Sequence, residues 1–182
     1  PMFIAMDPPV HDEQRKTVQG SVAPANLKLM EETIRSRTQQ VLDDLPVGEQ
    51  FDWVDRVSIE LTTQMLATLF DFPFEDRRKL TRWSDVATGD EESGIVESEE
   101  ARQAELYECL EYFTRLWHER EENGERNDLV SMLANGEATK NMSPQEYLGN
   151  LILLIVGGND TTRNSMTGGV WALNQNPGEY AK

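Results

Sequence analysis

Basic residues are scarce in this chain of 182 residues: 17 Lys and Arg stand against 33 Asp and Glu, a net charge of −16. That imbalance argues against binding to DNA, RNA or anionic membrane surfaces, and it favours solubility. Cysteine is nearly missing too. The single Cys109 excludes an internal disulfide framework and fits a reducing cytoplasm, the expected location. Long hydrophobic runs are lacking: the apolar stretch inside 143–176 falls well short of the roughly twenty residues a bilayer requires. Asn159, Asp160 and Arg163 follow it directly, so no membrane span is expected. Pro1-Met2-Phe3-Ile4 shows neither a charged leader nor a long apolar core, and no secretion signal is visible. Both ends read as cut, which makes residues 1–182 an incomplete part of one domain. No phosphate-binding G-x-x-x-x-G-K-[ST] or G-x-G-x-x-G loop occurs, and no internal repeat. Histidine is down to two copies, neither with a supported Ser or Asp partner. His118-Glu119-Arg120-Glu121-Glu122 is not the zinc pattern His-Glu-x-x-His, and no Glu-x-x-His pair supports a carboxylate-bridged di-iron bundle.

What the chain does have is helical periodicity. The 38% apolar content is lean but sufficient for a core. Amphipathic helices are expected over 25–45, through Leu27, Met30, Ile34 and Val41, and over 51–72, through Val57, Leu61, Met65, Leu66 and Phe70, capped by Asp52 or Asp55. A short helix over 74–87 carries Leu80, Trp83 and Val86 on one face, and an acidic loop bounded by Gly89 and Gly94, expected to be mobile, follows it. A long helix over 99–122 places Cys109 inside its apolar stripe, where a cysteine acts as a small hydrophobe. Asn127-Asp128 caps a short helix over 129–133.

One stretch, 143–176, organises the rest. Ser143, Pro144 and Glu146 form a capping box with proline at the first helical position. Tyr147, Leu148, Leu151, Ile152, Leu154, Ile155 and Val156 then cover nearly the whole circumference, as in a helix surrounded by others. Met166, Val170, Trp171 and Leu173 resume the pattern, and Asn176-Pro177 ends it. In the middle stands Gly157-Gly158-Asn159-Asp160-Thr161-Thr162. Two glycines inside a helix cost about 1 kcal/mol each relative to alanine. By removing side chains they let something bulky approach the backbone, and Thr161 or Thr162 can bond back to a carbonyl one turn earlier, bending or opening the helix. A helix crossing at small residues, with Asp160 and Thr161 satisfied locally, is the alternative. Near the start, His11 and Arg15 are four apart and leave one helical face together. They could grip a carboxylate pair or belong to an ordinary solvated helix start.

The motif Gly157 to Thr162 resembles the distal central-helix motif of the cytochrome P-450 haem-thiolate monooxygenases. Its extension Arg163-Asn164-Ser165 resembles their bacterial alkane and fatty-acid terminal hydroxylases, and Asp7-Pro8-Pro9-x-His11-x-x-x-Arg15 is similar to the family's helix that holds a haem propionate. The resemblance implies a mainly α, partial cytochrome P-450 fold, from the propionate helix through the long central oxygen-activating helix, without the proximal haem half. It implies a b-type haem with iron, gripped by His11 and Arg15 and lying against Gly157 and Gly158. Thr161 would donate a hydrogen bond to dioxygen and position water, and Asp160 would feed protons inward, so that O2 delivers one oxygen atom to an apolar substrate. Leu153 and Val156, with Leu80 and Trp83 in the channel roof, would contact an alkane, a fatty acid or a terpene; for the last two residues, packing on the layer below is the alternative. Electrons would come from NAD(P)H through a ferredoxin reductase and a ferredoxin.

The departures are the Glu-x-x-Arg helix and the cysteine loop, which the family has beyond its central helix. Cys109 lacks the surrounding loop pattern and is not assigned to iron, so the isolated chain is expected neither to bind haem normally nor to turn over, and to be poorly soluble through exposed apolar faces. An all-α interaction protein without catalysis, and a non-haem metalloenzyme built on Asp160 and nearby carboxylates, are the readings from other classes.

Overall fold

The computed structural model describes residues 1–90, 92–124 and 126–181. Seven α-helices follow one another: α1 (Val10–Gln19), α2 (Pro24–Asp43), α3 (Glu60–Phe70), α4 (Arg78–Thr88), α5 (Glu99–Asn123), α6 (Leu129–Asn135) and α7 (Pro144–Gln175), with no strand among the described residues. The caps are those that the sequence implies. Asp52 Oδ1 accepts from the N–H groups of Val54 and Asp55 at 2.8 and 3.1 Å, starting a π-helical segment, Val54–Ile59, that runs straight into α3. Asp128 caps α6 through Ser131 N–H, and Ser143 and Glu146 complete the capping box of α7. Asp71 ends α3 with a left-handed φ of 46°, and Pro73 prevents any continuation.

α7 is the axis. At about 1.5 Å per residue its 32 residues make a rod of roughly 48 Å. It packs against α3, α4, α5 and the π-helical segment, and it touches the 3₁₀ turn Phe3–Ala5. The core gathers on its first half: Tyr147, Leu151 and Ile155 are buried together with Leu66 and Phe70 of α3, Phe113 of α5 and Leu133 of α6. The expected all-round burial does not extend along the whole rod. Trp171, toward its far end, is 66% exposed.

Two charged clusters join the helices. Arg120, on α5, donates to both the backbone carbonyl and the carboxylate of Asp71 at 3.0 Å and lies 3.5 Å from Asp128, so a buried guanidinium ties the end of α3 to the start of α6. Glu60 accepts from Gln64 and Arg77 and pairs with Arg78, joining α3 to the entry of α4. Burial alone would raise its pKa. The hydrogen bonds from Gln64 and Arg77, with the charges of Arg77 and Arg78, outweigh that and hold the carboxyl below the usual range.

Candidate functional site

A cavity of about 370 Å³ opens beside the middle of α7. Four of its lining residues, His11, Arg15, Gly157 and Gly158, are those on which the cofactor expectation rests, and Leu153 lines it as well. The α1 face supplies His11 and Arg15, while Leu66, Leu69 and Leu129 supply apolar wall from α3 and α6. Those leucines looked in the sequence like any other core position, and no pattern there marks them as cavity-forming.

The motif residues divide their work by helical angle. A side chain at Gly157 would meet nothing within 4 Å, so this glycine leaves open space at the groove. A Cβ at Gly158 would come within 2.7 Å of Leu66 Cδ2, so the second glycine also serves a close crossing of α7 over α3. Asn159 is fully buried and accepts from Thr62 of α3 at 2.8 Å. Asp160 points to α4: it accepts from Ser84 at 3.2 Å and pairs with Arg163 at 2.6 Å, and Arg163 reaches Asp85 at 2.9 Å. Thr161 donates to the Gly157 carbonyl at 2.8 Å, as expected for a threonine bonding back one turn. Yet α7 does not open there, since its helical assignment runs unbroken from Pro144 to Gln175.

Three expected substrate contacts lie elsewhere. Leu80 and Trp83 are 0% and 1% exposed, within the core cluster, where Trp83 meets Phe72 and Tyr112 edge to face. Their apolar stripe is consumed by packing in the core between α4, α5 and α7, which is the alternative the sequence left open. Val156 is half-buried and does not line the cavity. The loop after α4 is tied by Ser93 N–H to Asp90 at 2.8 Å and by Arg102 to the Gly89 carbonyl; Glu91 lies outside the described residues.

Cys109 is fully buried in the core, and burial pushes its thiol well up, so it offers no thiolate to a metal. Among the described residues no group of three His, Cys, Asp or Glu could hold a metal ion, which leaves the non-haem metalloenzyme without a centre. No helix among them is long and apolar enough to cross a membrane.

The site is an apolar groove along the central helix of an all-α scaffold, with open space at Gly157 and the side chains of His11 and Arg15 in its lining. Comparison with known proteins specifies the class. The chain is 32% identical over 179 residues to linalool 8-monooxygenase of Pseudomonas putida, covering 98% of this chain and 44% of that protein. It is likewise 32% identical over 180 residues to steroid C26-monooxygenase of Mycolicibacterium smegmatis, covering 42% of it. Among solved structures, cytochrome P450-153 from Novosphingobium aromaticivorans shares 52% identity with a TM-score of 0.86, over 100% of this chain and 43% of that one. CYP153D17 from Sphingomonas sp. PAMC 26605 shares 50% with a TM-score of 0.87, over 100% and 45%. No protein-family model matches. The chain belongs to the cytochrome P450 family, has part of its fold, and spans less than half the length of the curated relatives it matches.

Proposed function

We propose that this chain is the oxygen-activating part of a haem-thiolate monooxygenase that inserts one atom of O2 into an apolar substrate, by terminal hydroxylation of an alkane or fatty acid. The observation that carries the reading is the single cavity shared by His11, Arg15, Gly157 and Gly158, residues separated by more than a hundred positions in sequence. A packing role explains Gly158 against Leu66 but not the open space at Gly157. The relatives are named as monooxygenases of linalool and of a steroid, which supports an apolar substrate, while the finer assignment rests on the resemblance at Arg163-Asn164-Ser165.

The residues present fit one face of a haem: an apolar wall, a glycine floor and two donors suited to carboxylates. When bound, that group supplies the iron chemistry that activates dioxygen. His11 and Arg15 would hold its acidic substituents, and Gly157 would keep the space above it clear for O2 and substrate. Leu153 would face the substrate. Thr161, whose hydroxyl proton is committed to the Gly157 carbonyl, presents its oxygen lone pairs and would orient a water by accepting from it. Asp160 is paired with Arg163; to pass a proton inward it must leave that partner, and Asp85 keeps the guanidinium in place when it does. Electrons would arrive from NAD(P)H through a ferredoxin and its reductase. In the full-length enzyme Thr161→Ala is expected to keep consuming reductant while product falls and hydrogen peroxide rises. Unchanged coupling of reductant to product would rule out this role for Thr161.

A further inference from the structure

The carbonyl of Phe3 lies 2.8 Å from His11 Nδ1. A carbonyl oxygen only accepts, so the hydrogen of the imidazole sits on Nδ1. In the neutral ring Nε2 is then bare, and it carries an N–H only in the imidazolium.

That carbonyl is not free to move aside. Phe3 N–H donates to Asn150 Oδ1 at 2.8 Å, and Asn150 Nδ2 donates to Gln14 Oε1 at 3.0 Å. Asn150 is 0% and Gln14 4% exposed, so one buried amide joins the first residues, α1 and α7. Beside it, a side chain at Gly149 would collide with the Pro1 carbonyl, so this glycine is what lets the first residues lie on α7 at all. The Phe3 ring also stands edge-on to the His11 ring, with centroids 6.1 Å apart.

We infer that this lock lets His11 grip a carboxylate only as the imidazolium, so that an apolar, carboxylate-bearing ligand entering the cavity takes up one proton from water at Nε2. The inference rests on the haem-site reading above. No other titrating group confuses it: α3, α6 and α7 give the cavity only leucines and glycines, and Arg15 stays cationic throughout. Asp7 and Asp12 flank His11 in sequence, but neither lines the cavity. Asn150 acts through Phe3 and is a positioning residue.

Two measurements on the full-length protein, prepared without haem, test this. Nitrogen-15 NMR of the imidazole, without ligand, reads the tautomer, and the neutral ring is expected to carry its hydrogen on Nδ1. Binding of iron-free protoporphyrin IX, followed by tryptophan quenching, is then compared across about pH 6 to 9. Affinity is expected to fall by up to about tenfold per pH unit once the imidazole is neutral. His11→Gln, whose amide donates without titrating, is expected to bind with a flat profile, and Asn150→Leu to lose the tautomer preference. Should Asn150→Leu not fold, His11→Gln still decides. An Nε2–H tautomer in the free chain, a flat profile in the unmodified chain, or an undiminished slope in His11→Gln would each overturn the coupling. No porphyrin binding at any pH would overturn the haem-site reading and the coupling with it, an outcome told apart because the tautomer is read without ligand.

Discussion

Leu80→Ala separates a core residue from a substrate contact. The side chain is 0% exposed and belongs to the same buried cluster as Phe70, Phe72, Trp83 and Phe113. Removing three carbons forfeits about 2.4 kcal/mol at roughly 0.8 kcal/mol per buried methylene, and a cavity term adds to it because the neighbours are themselves packed; the sum is about 3 to 4 kcal/mol. At roughly 2 to 4 °C per kcal/mol for a chain of this size, Tm should drop by about 6 to 16 °C. Thermal unfolding followed by circular dichroism at the helix band reads it, with Val156→Ala, half-buried, as the control expected to lose about 1 kcal/mol. A Leu80→Ala loss no larger than that of the control would refute the packing argument and return Leu80 to the channel.

Gly157→Ala should raise Tm, by up to about 1 kcal/mol of helix propensity, since its Cβ meets open space, while weakening porphyrin binding at the groove; unchanged binding would show that Gly157 does not form the floor. Glu60 has a folded pKa below its unfolded value of about 4.3, so its stabilisation is complete above that pH and is lost as pH falls through the lower, folded value. Glu60→Gln should therefore be less stable at pH 7 by urea midpoint, with the gap narrowing toward about pH 3, and a constant gap would contradict the ion-pair account. Cys109 should resist a thiol reagent in the native state and react only after unfolding in urea; rapid native labelling would mean that it is not buried as described.

Much of the frame was legible because each helix boundary is a local matter of capping and apolar period. Ser143 with Glu146, and Asp128 before α6, needed nothing beyond their own turns. The pairing of His11 and Arg15 with Gly157 was legible only through resemblance, since nothing in the spacing links α1 to the middle of α7. The Leu80 and Trp83 face shows the opposite limit: an amphipathic stripe says that a face is covered, not by what, and here the core formed with α5 and α7 covers it. Asn150 was overlooked although it is the one polar break in 147–156 apart from Gly149; a buried amide in an apolar helix is a sign of a partner, and its partners lie far away in sequence. The contacts of Asp160 with Ser84 and Arg163 depend on where α4 lies, which no local pattern fixes.

The bond from Phe3 to Asn150 spans 147 positions, and that from Gln14 to Asn150 spans 136. Contacts this distant carry a loop-closure cost that nearby ones do not, and they form late in folding. During synthesis α1 precedes α7, so the partner that fixes its height is made only when the chain reaches α7. The helices between can pair as they emerge, whereas the groove stays unformed until the start of α7 closes back on Phe3 and α1.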